Sequence, residues 1–203
     1  MLVPERFLSD AYIESRTASL LRRYFDRHPR RLPIDVERIA DDLLDLNISW
    51  ESLPRTADGA ITLGGYRPDR HQLVLNEFAL SHFAEFPGSE NFTKAHEIGH
   101  AVLHVREEPA ASPLFGDIAA APAIVCISAE RKPQREVQAD IFASHLLMPG
   151  DLMRAECARR RLDHWPNLFD LARDLGVSVT ALRIRLERLG LVAIDAEGNP
   201  RSL

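Results

Sequence analysis

His96-Glu97-Ile98-Gly99-His100 reads H-E-x-x-H. On a helix, residues four apart stand a little over one turn from each other and project from one face. Two imidazoles held that way can bind one Zn²⁺. Glu97 lies beside them, placed to take a proton from a metal-bound water. The alternative for the same residues is an amphipathic core helix with two partly buried histidines. Gly99 argues for more than that. A glycine inside a helix costs about 1 kcal/mol relative to alanine, and the close approach of another element beneath the site would offset it.

A zinc ion with two histidines still needs a third protein ligand. Glu136-Val137-Gln138-Ala139-Asp140 supplies a candidate on a second helical pattern, with Val137, Ile141, Phe142, His145 and Leu146 marking its apolar side. Glu136 and Asp140 are one turn apart and share a face. Glu136 could complete a His-His-Glu site with a fourth position open, the pattern of a catalytic rather than a structural zinc. Asp140 could accept a hydrogen bond from the far nitrogen of a ligand histidine and fix its tautomer. Read alone, the same two carboxylates would be a solvated pair at a helix start, where negative charge is favoured.

The run His96 to His104, followed by Glu136-Val137-Gln138-Ala139-Asp140-Ile141-Phe142-Ala143-Ser144-His145-Leu146-Leu147-Met148-Pro149, resembles the ImmA/IrrE metallopeptidases. Their pattern is H-E-[LI]-G-H-x-x-L-H, then E-x-x-A-[ND]-x-F-A-x-x-L-L-M-P, and every fixed position is matched. The resemblance covers about Thr17 to Pro149. It implies one Zn²⁺ per chain, with His96, His100 and Glu136 as ligands and Glu97 as the base. It implies an α+β fold, a minimal thermolysin-like (gluzincin) core with a small antiparallel-containing sheet. It also implies a substrate class, since members are known or proposed to cleave helix-turn-helix repressors and so derepress stress, prophage or mobile-element genes.

Other residues near the motif carry weaker signals. His104 follows His100 by four, but eight residues from His96 the helix has drifted by about 80°. It is expected behind the ligands or at the helix C-terminus, where a histidine suits the dipole. Tyr66, His71 and His145 are candidates to stabilise the oxyanion, and nothing in the sequence chooses among them. Residues 106–135 are broken by Pro109, Pro113, Pro122 and Pro133, and so long a connection suggests a lid or a substrate clamp. Ala123 to Ile127 reads as a short buried strand. Within it, Cys126 is expected to be a small buried hydrophobe rather than a thiolate on the metal.

The elements that must position these groups follow from periodicity. A helix is expected from Thr17 to near His28, and a second one after the cap Asp35, with Val36, Ile39, Ala40, Leu43 and Leu44 as its apolar stripe. Strands are expected at Asn47–Trp50, Ala60–Leu63 and Gln72–Asn76, the last two joined by a turn at Arg67-Pro68-Asp69-Arg70. Gly64-Gly65 suggests a bulge or a close backbone approach. One strand of this hairpin is a candidate edge for holding substrate backbone. Ala79 to Pro87 reads as a short helix or loop, with His82 outside the site. Asn91 or Ser89 would cap the metal-binding helix.

A boundary is expected near residue 150, giving a metallopeptidase domain over 1–150 and a helical region over 151–203. In the second region Leu168 to Leu186 resembles a helix-turn-helix, with Gly176 at the turn and Ser178 as cap. Its second helix would present Thr180, Arg183, Arg185 and Arg188, which suits DNA or partner contacts.

The chain has 203 residues, 45% hydrophobic and 27% charged, with net charge −5. Those are ordinary values for a globular protein, and no global positive field argues for nucleic acid. Cys126 and Cys157 are too few and too far apart for a disulfide framework. With no signal peptide or apolar span in view, a cytoplasmic protein without a membrane is expected. The first reading is a zinc endopeptidase, with a helix-turn-helix repressor as the substrate that the resemblance implies. A non-proteolytic transcription regulator or a toxin-antitoxin component, using the fold to bind protein or DNA, is the alternative. Glu97 counts against the latter, since zinc binding alone needs no carboxylate there.

Overall fold

The computed structural model describes residues 7–56, 59–104 and 133–203. Cys126, the expected strand around it and most of the stretch 106–135 lie outside the described residues. Helix α1 runs Asp10–Phe25 and starts earlier than Thr17, because the Ser9 hydroxyl accepts the Tyr12 N–H at 3.2 Å and caps it. Its inner face carries Ile13, Leu20, Leu21 and Tyr24. Helix α2 is Val36–Leu44, capped as expected by the Asp35 carboxylate on the Arg38 N–H.

Strands β1 (Asn47–Glu51), β2 (Gly64–Arg67) and β3 (Gln72–Asn76) form a sheet in the order β1-β3-β2. β1 runs parallel to β3, and β2 antiparallel to it. The hairpin partner of β3 is therefore not Ala60–Leu63 but the segment after it. The glycines explain the difference. A Cβ at Gly64 would lie 2.7 Å from Thr93 Cγ2 and 3.0 Å from the Val74 carbonyl oxygen. Only a strand without a side chain there can lie so close to the helix that carries Thr93. The expected turn shrinks to a 3-10 turn at Pro68–Arg70, closed by His71 in the left-handed region.

A 3-10 turn and the short helix α3 (Leu80–Glu85) lead into α4 (Ser89–Leu103), which bears H-E-x-x-H. Neither Asn91 nor Ser89 caps α4. Gly88 stands at the cap with φ 87°, and the Asn91 amide instead donates to the Gly176 carbonyl at 3.2 Å. Helix α5 (Gln134–Leu147) carries Glu136. It lies so close to α4 that a Cβ on Gly99 would sit 3.2 Å from Ala139 Cα. That is the close approach Gly99 called for. On α5, Ala139, Phe142, Ala143 and Leu146 are buried, but Val137 is 40% exposed and is not part of the apolar side.

Helices α6 (Gly150–Cys157), α7 (Trp165–Leu175) and α8 (Val179–Arg188) follow, then a two-stranded hairpin of β4 (Val192–Ile194) and β5 (Pro200–Ser202). Gly176 ends α7 with φ 63°, and the Ser178 hydroxyl caps α8 by accepting the Ala181 N–H. The turn between α7 and α8 sits on the start of α4, where a Cβ at Gly88 would lie 2.5 Å from Val177 Cα. One apolar core runs from Leu8 and Ile13 through Ile98, Phe142 and Met153 to Leu182 and Val192, so residues on both sides of position 150 share it. Among the described residues no helix is long and apolar enough to cross a membrane.

Candidate metal centre

Helix α4 presents His96 and His100 on one face, and α5 brings Glu136 against them. His96 Nε2 lies 3.0 Å from His100 Nε2 and 3.0 Å from Glu136 Oε2, while His100 Nε2 lies 3.3 Å from Glu136 Oε1. Two imidazole nitrogens thus face each other and the two oxygens of one carboxylate, and one ligand atom from each of the three residues lies within 4.8 Å of the others. A tetrahedral zinc with ordinary Zn–N and Zn–O bonds separates its ligand atoms by about 3.3 Å. Contacts of 3.0 to 3.3 Å between these groups are of the size that ion requires.

Proton bookkeeping is compatible with a cation at this place. His96 Nδ1 is 2.9 Å from Asp140 Oδ1, and a carboxylate can only accept, so Nδ1 carries the hydrogen. A neutral His96 would then point the lone pair of Nε2 at the Glu136 carboxylate. Something positive must stand between them, either a proton on His96 or a metal ion. Burial alone would pull His96 down, but hydrogen bonds to Asp140 and Glu136 outweigh it and push the imidazole up to about 10. Burial likewise disfavours an ionised Glu136, yet hydrogen bonds from His100 and His96 hold it well below the usual carboxylate range.

His100 is held from behind by a different partner. Its Nδ1 is 3.0 Å from His104 Nδ1, and His104 Nε2 is 2.9 Å from Gln138 Oε1. His104 is thus placed behind the ligands, and it also stands at the C-cap of α4. Burial pulls its pKa down to about 4, so it is neutral near pH 7. Glu97 is 6% exposed. Burial raises its pKa, against the pull of His96 and His100, which moves a carboxylate toward the range useful for general base work.

The other candidates scatter. Tyr66 is half-buried on β2. It shares a strand face with Gly64, two residues away, whose missing side chain confronts Thr93 of α4. His71 is exposed in the hairpin turn with φ 48°. His145 is a correction. It stands nine residues after Glu136, about half a turn round the helix, and its Nε2 is 2.8 Å from Asp10 Oδ1 on α1. Its ring is therefore committed away from the ligand group. Arg185 is a second correction. It is 4% exposed and donates through Nε to the Met148 carbonyl at 2.9 Å, closing the end of α5 rather than facing a partner. Thr180 is half-buried beside the docked turn, Arg183 pairs with Glu187 at 3.1 Å, and Arg188 is exposed. Gln138 was not expected in the site. A helical projection puts it about 200° from Glu136, so no spacing argument nominates it.

Comparison with known proteins bears on these residues. Residues 84–187, just over half of the chain, match the model of the IrrE N-terminal-like domain, a peptidase family. That segment contains His96, Glu97, His100, Glu136 and Asp140. A solved structure of a Mycobacterium tuberculosis transcriptional regulator is similar in fold, with a TM-score of 0.51 at 18% identity over 94% of this chain. This chain covers 55% of that one, so it spans about half the length of its structural neighbour. No curated protein gives a significant match.

Proposed function

The chain belongs to the peptidase family of IrrE N-terminal-like domains, and from that premise we propose that it is a zinc-dependent endopeptidase with a minimal gluzincin core. The observation that carries this is the group of His96, His100 and Glu136, each offering one ligand atom, with buried Glu97 directly after His96 in sequence and electrostatically coupled to both histidines. When bound there, zinc acts as a Lewis acid on the scissile carbonyl and lowers the pKa of water.

The chain's own residues do the rest. Glu97 accepts the proton of the attacking water and passes it to the leaving amine. Its burial keeps that proton from exchanging freely with solvent. Asp140 holds His96 with Nδ1 protonated and Nε2 available. Strand β2 is at the edge of the sheet and lies against α4. It can accept an extended substrate as an added strand, so that backbone hydrogen bonds align the scissile bond beside Glu97. Tyr66, on the α4 side of β2, is the favoured oxyanion partner of the three candidates, since His145 is tied to Asp10 and His71 is in the exposed turn.

The substrate proposed is a helix-turn-helix transcriptional repressor, and cleavage would release the genes it silences. The helix-turn-helix-like pair α7–α8 serves here as a support for α4. Recognition helices read bases with their N-terminal residues, and in this chain that end is packed beside Gly88. This favours the peptidase reading over DNA binding. The test is incubation of zinc-loaded protein with the helix-turn-helix repressor encoded nearest its gene. A discrete cut by wild type and none by Glu97→Gln supports the reading. Zinc bound in both and no cut in either, or equal cutting by both, contradicts it.

A further inference from the structure

We propose that Gln138 is a positioning residue of the metal centre, which acts through His104 to hold His100 in the tautomer that offers Nε2 to the metal. The inference rests on reading His96, His100 and Glu136 as a zinc site. It is carried by three consecutive geometries. Gln138 Oε1 lies 2.9 Å from His104 Nε2. A carbonyl oxygen only accepts, so His104 carries its hydrogen on Nε2. A neutral imidazole then has a bare lone pair on Nδ1. That lone pair faces His100 Nδ1 at 3.0 Å, and the one hydrogen between the two rings must belong to His100. With Nδ1 protonated, Nε2 of His100, 3.0 Å from His96 Nε2 and 3.3 Å from Glu136 Oε1, is the nitrogen left to offer its lone pair to the metal once any proton it shares with Glu136 has gone.

Reversing any link reverses the outcome. If His104 donated toward His100, then His100 would carry its hydrogen on Nε2 and turn an N–H toward the metal position. Gln138 is 2% exposed, so water does not readily replace its carbonyl. The two ligand histidines are thereby held by chemically different partners, a carboxylate behind His96 and a neutral relay behind His100. Helix α5 supplies one metal ligand in Glu136 and the outer support of both histidines in Asp140 and Gln138. Neither His104 nor Gln138 is a ligand, because both ring nitrogens of His104 are already committed.

The test uses the full chain and zinc affinity by chelator competition on wild type, Gln138→Leu, His104→Phe, the double variant and Gln138→Glu. Loss of an outer partner typically weakens metal binding 10–100-fold, and that rise in Kd is expected for each single apolar variant. The double variant should be no weaker than either single one, because both cut the same relay. Gln138→Glu should restore wild-type affinity to within a few-fold, since a carboxylate also only accepts. Nitrogen-15 shifts of the metal-free wild type should show His100 protonated on Nδ1, a readout that needs no variant to fold. Protonation on Nε2 without protonation on Nδ1, additive losses in the double variant, or unchanged Kd in both single variants would overturn the relay. Absence of zinc binding by wild type would instead overturn the metal-centre reading beneath it.

Discussion

His96 and Asp140 face each other across 2.9 Å, from Nδ1 to Oδ1, on two different helices. The contact fixes which nitrogen of His96 is left for a metal, and its partner carboxylate is 29% exposed, on the rim of the site. Asp140→Leu should therefore weaken zinc binding by about 10–100-fold while the chain stays folded. Asp140→Asn, which keeps an acceptor oxygen, should lose less. Chelator competition with a circular-dichroism melt measures both, and equal affinity in all three proteins would remove Asp140 from the account.

The metal should displace a proton. In the metal-free site His96 is pushed up to about 10 from 6.5, so its contribution to stability is complete below about pH 6.5 and is lost as pH rises through about 10. Glu136 is shifted the opposite way from 4.5, and its contribution is lost as pH falls below that value. Zinc binding near pH 7 should thus release close to one proton. The gain in melting temperature on adding zinc should grow from pH 6 to pH 9. Calorimetry in two buffers of different ionisation enthalpy counts the proton, and a count of zero would contradict the protonated apo site.

Gly99 is where α4 and α5 come closest. A Cβ there would meet Ala139 Cα at 3.2 Å and Phe142 Cβ at 3.3 Å. Gly99→Val should destabilise the fold by roughly 1–3 kcal/mol through overpacking. It should also weaken zinc binding, because pushing α5 outward carries Glu136 away from the histidines. Denaturant unfolding with zinc titration tests both, and a stable variant with wild-type affinity would show that α5 does not need this approach.

The start of α4 depends on the C-terminal helices. Gly88 has φ 87°, and its missing Cβ would lie 2.4 Å from the backbone of Val177, whereas Gly190 has φ 65° with open space around it. Alanine at Gly190 should cost the left-handed strain alone, about 1–3 kcal/mol. Alanine at Gly88 should cost clearly more, because a backbone must also move. Thermal melts of the two variants compare them directly, and equal losses would mean that the α7–α8 turn is not held against α4.

That His96 and His100 would stand on one face was legible in the sequence because helical spacing is rigid, residues i and i+4 sharing a face whatever surrounds them, whereas Glu136 on its separate helix was only a candidate. Asp35 and Ser178 were legible as caps for the same local reason. What the sequence hid was tertiary. Ala60–Leu63 is as apolar as a strand, but the pairing with β3 went to Gly64–Arg67, where absent side chains let the sheet meet α4. Arg185 looked like a surface cation among other arginines until Met148 claimed its Nε. Gln138 was invisible because its role depends on which helix lies opposite, not on its neighbours in the chain.

The most direct measurement of the central claim is zinc stoichiometry and peptide-bond hydrolysis on the same preparations of wild type, Glu97→Gln and His100→Ala. The account predicts one zinc per chain in wild type and Glu97→Gln and none in His100→Ala. It predicts hydrolysis in wild type alone, with a loss of at least about 10²–10⁴-fold in Glu97→Gln, the range for a general base. Hydrolysis that persists in Glu97→Gln, or zinc that stays bound in His100→Ala with wild-type affinity, would contradict it.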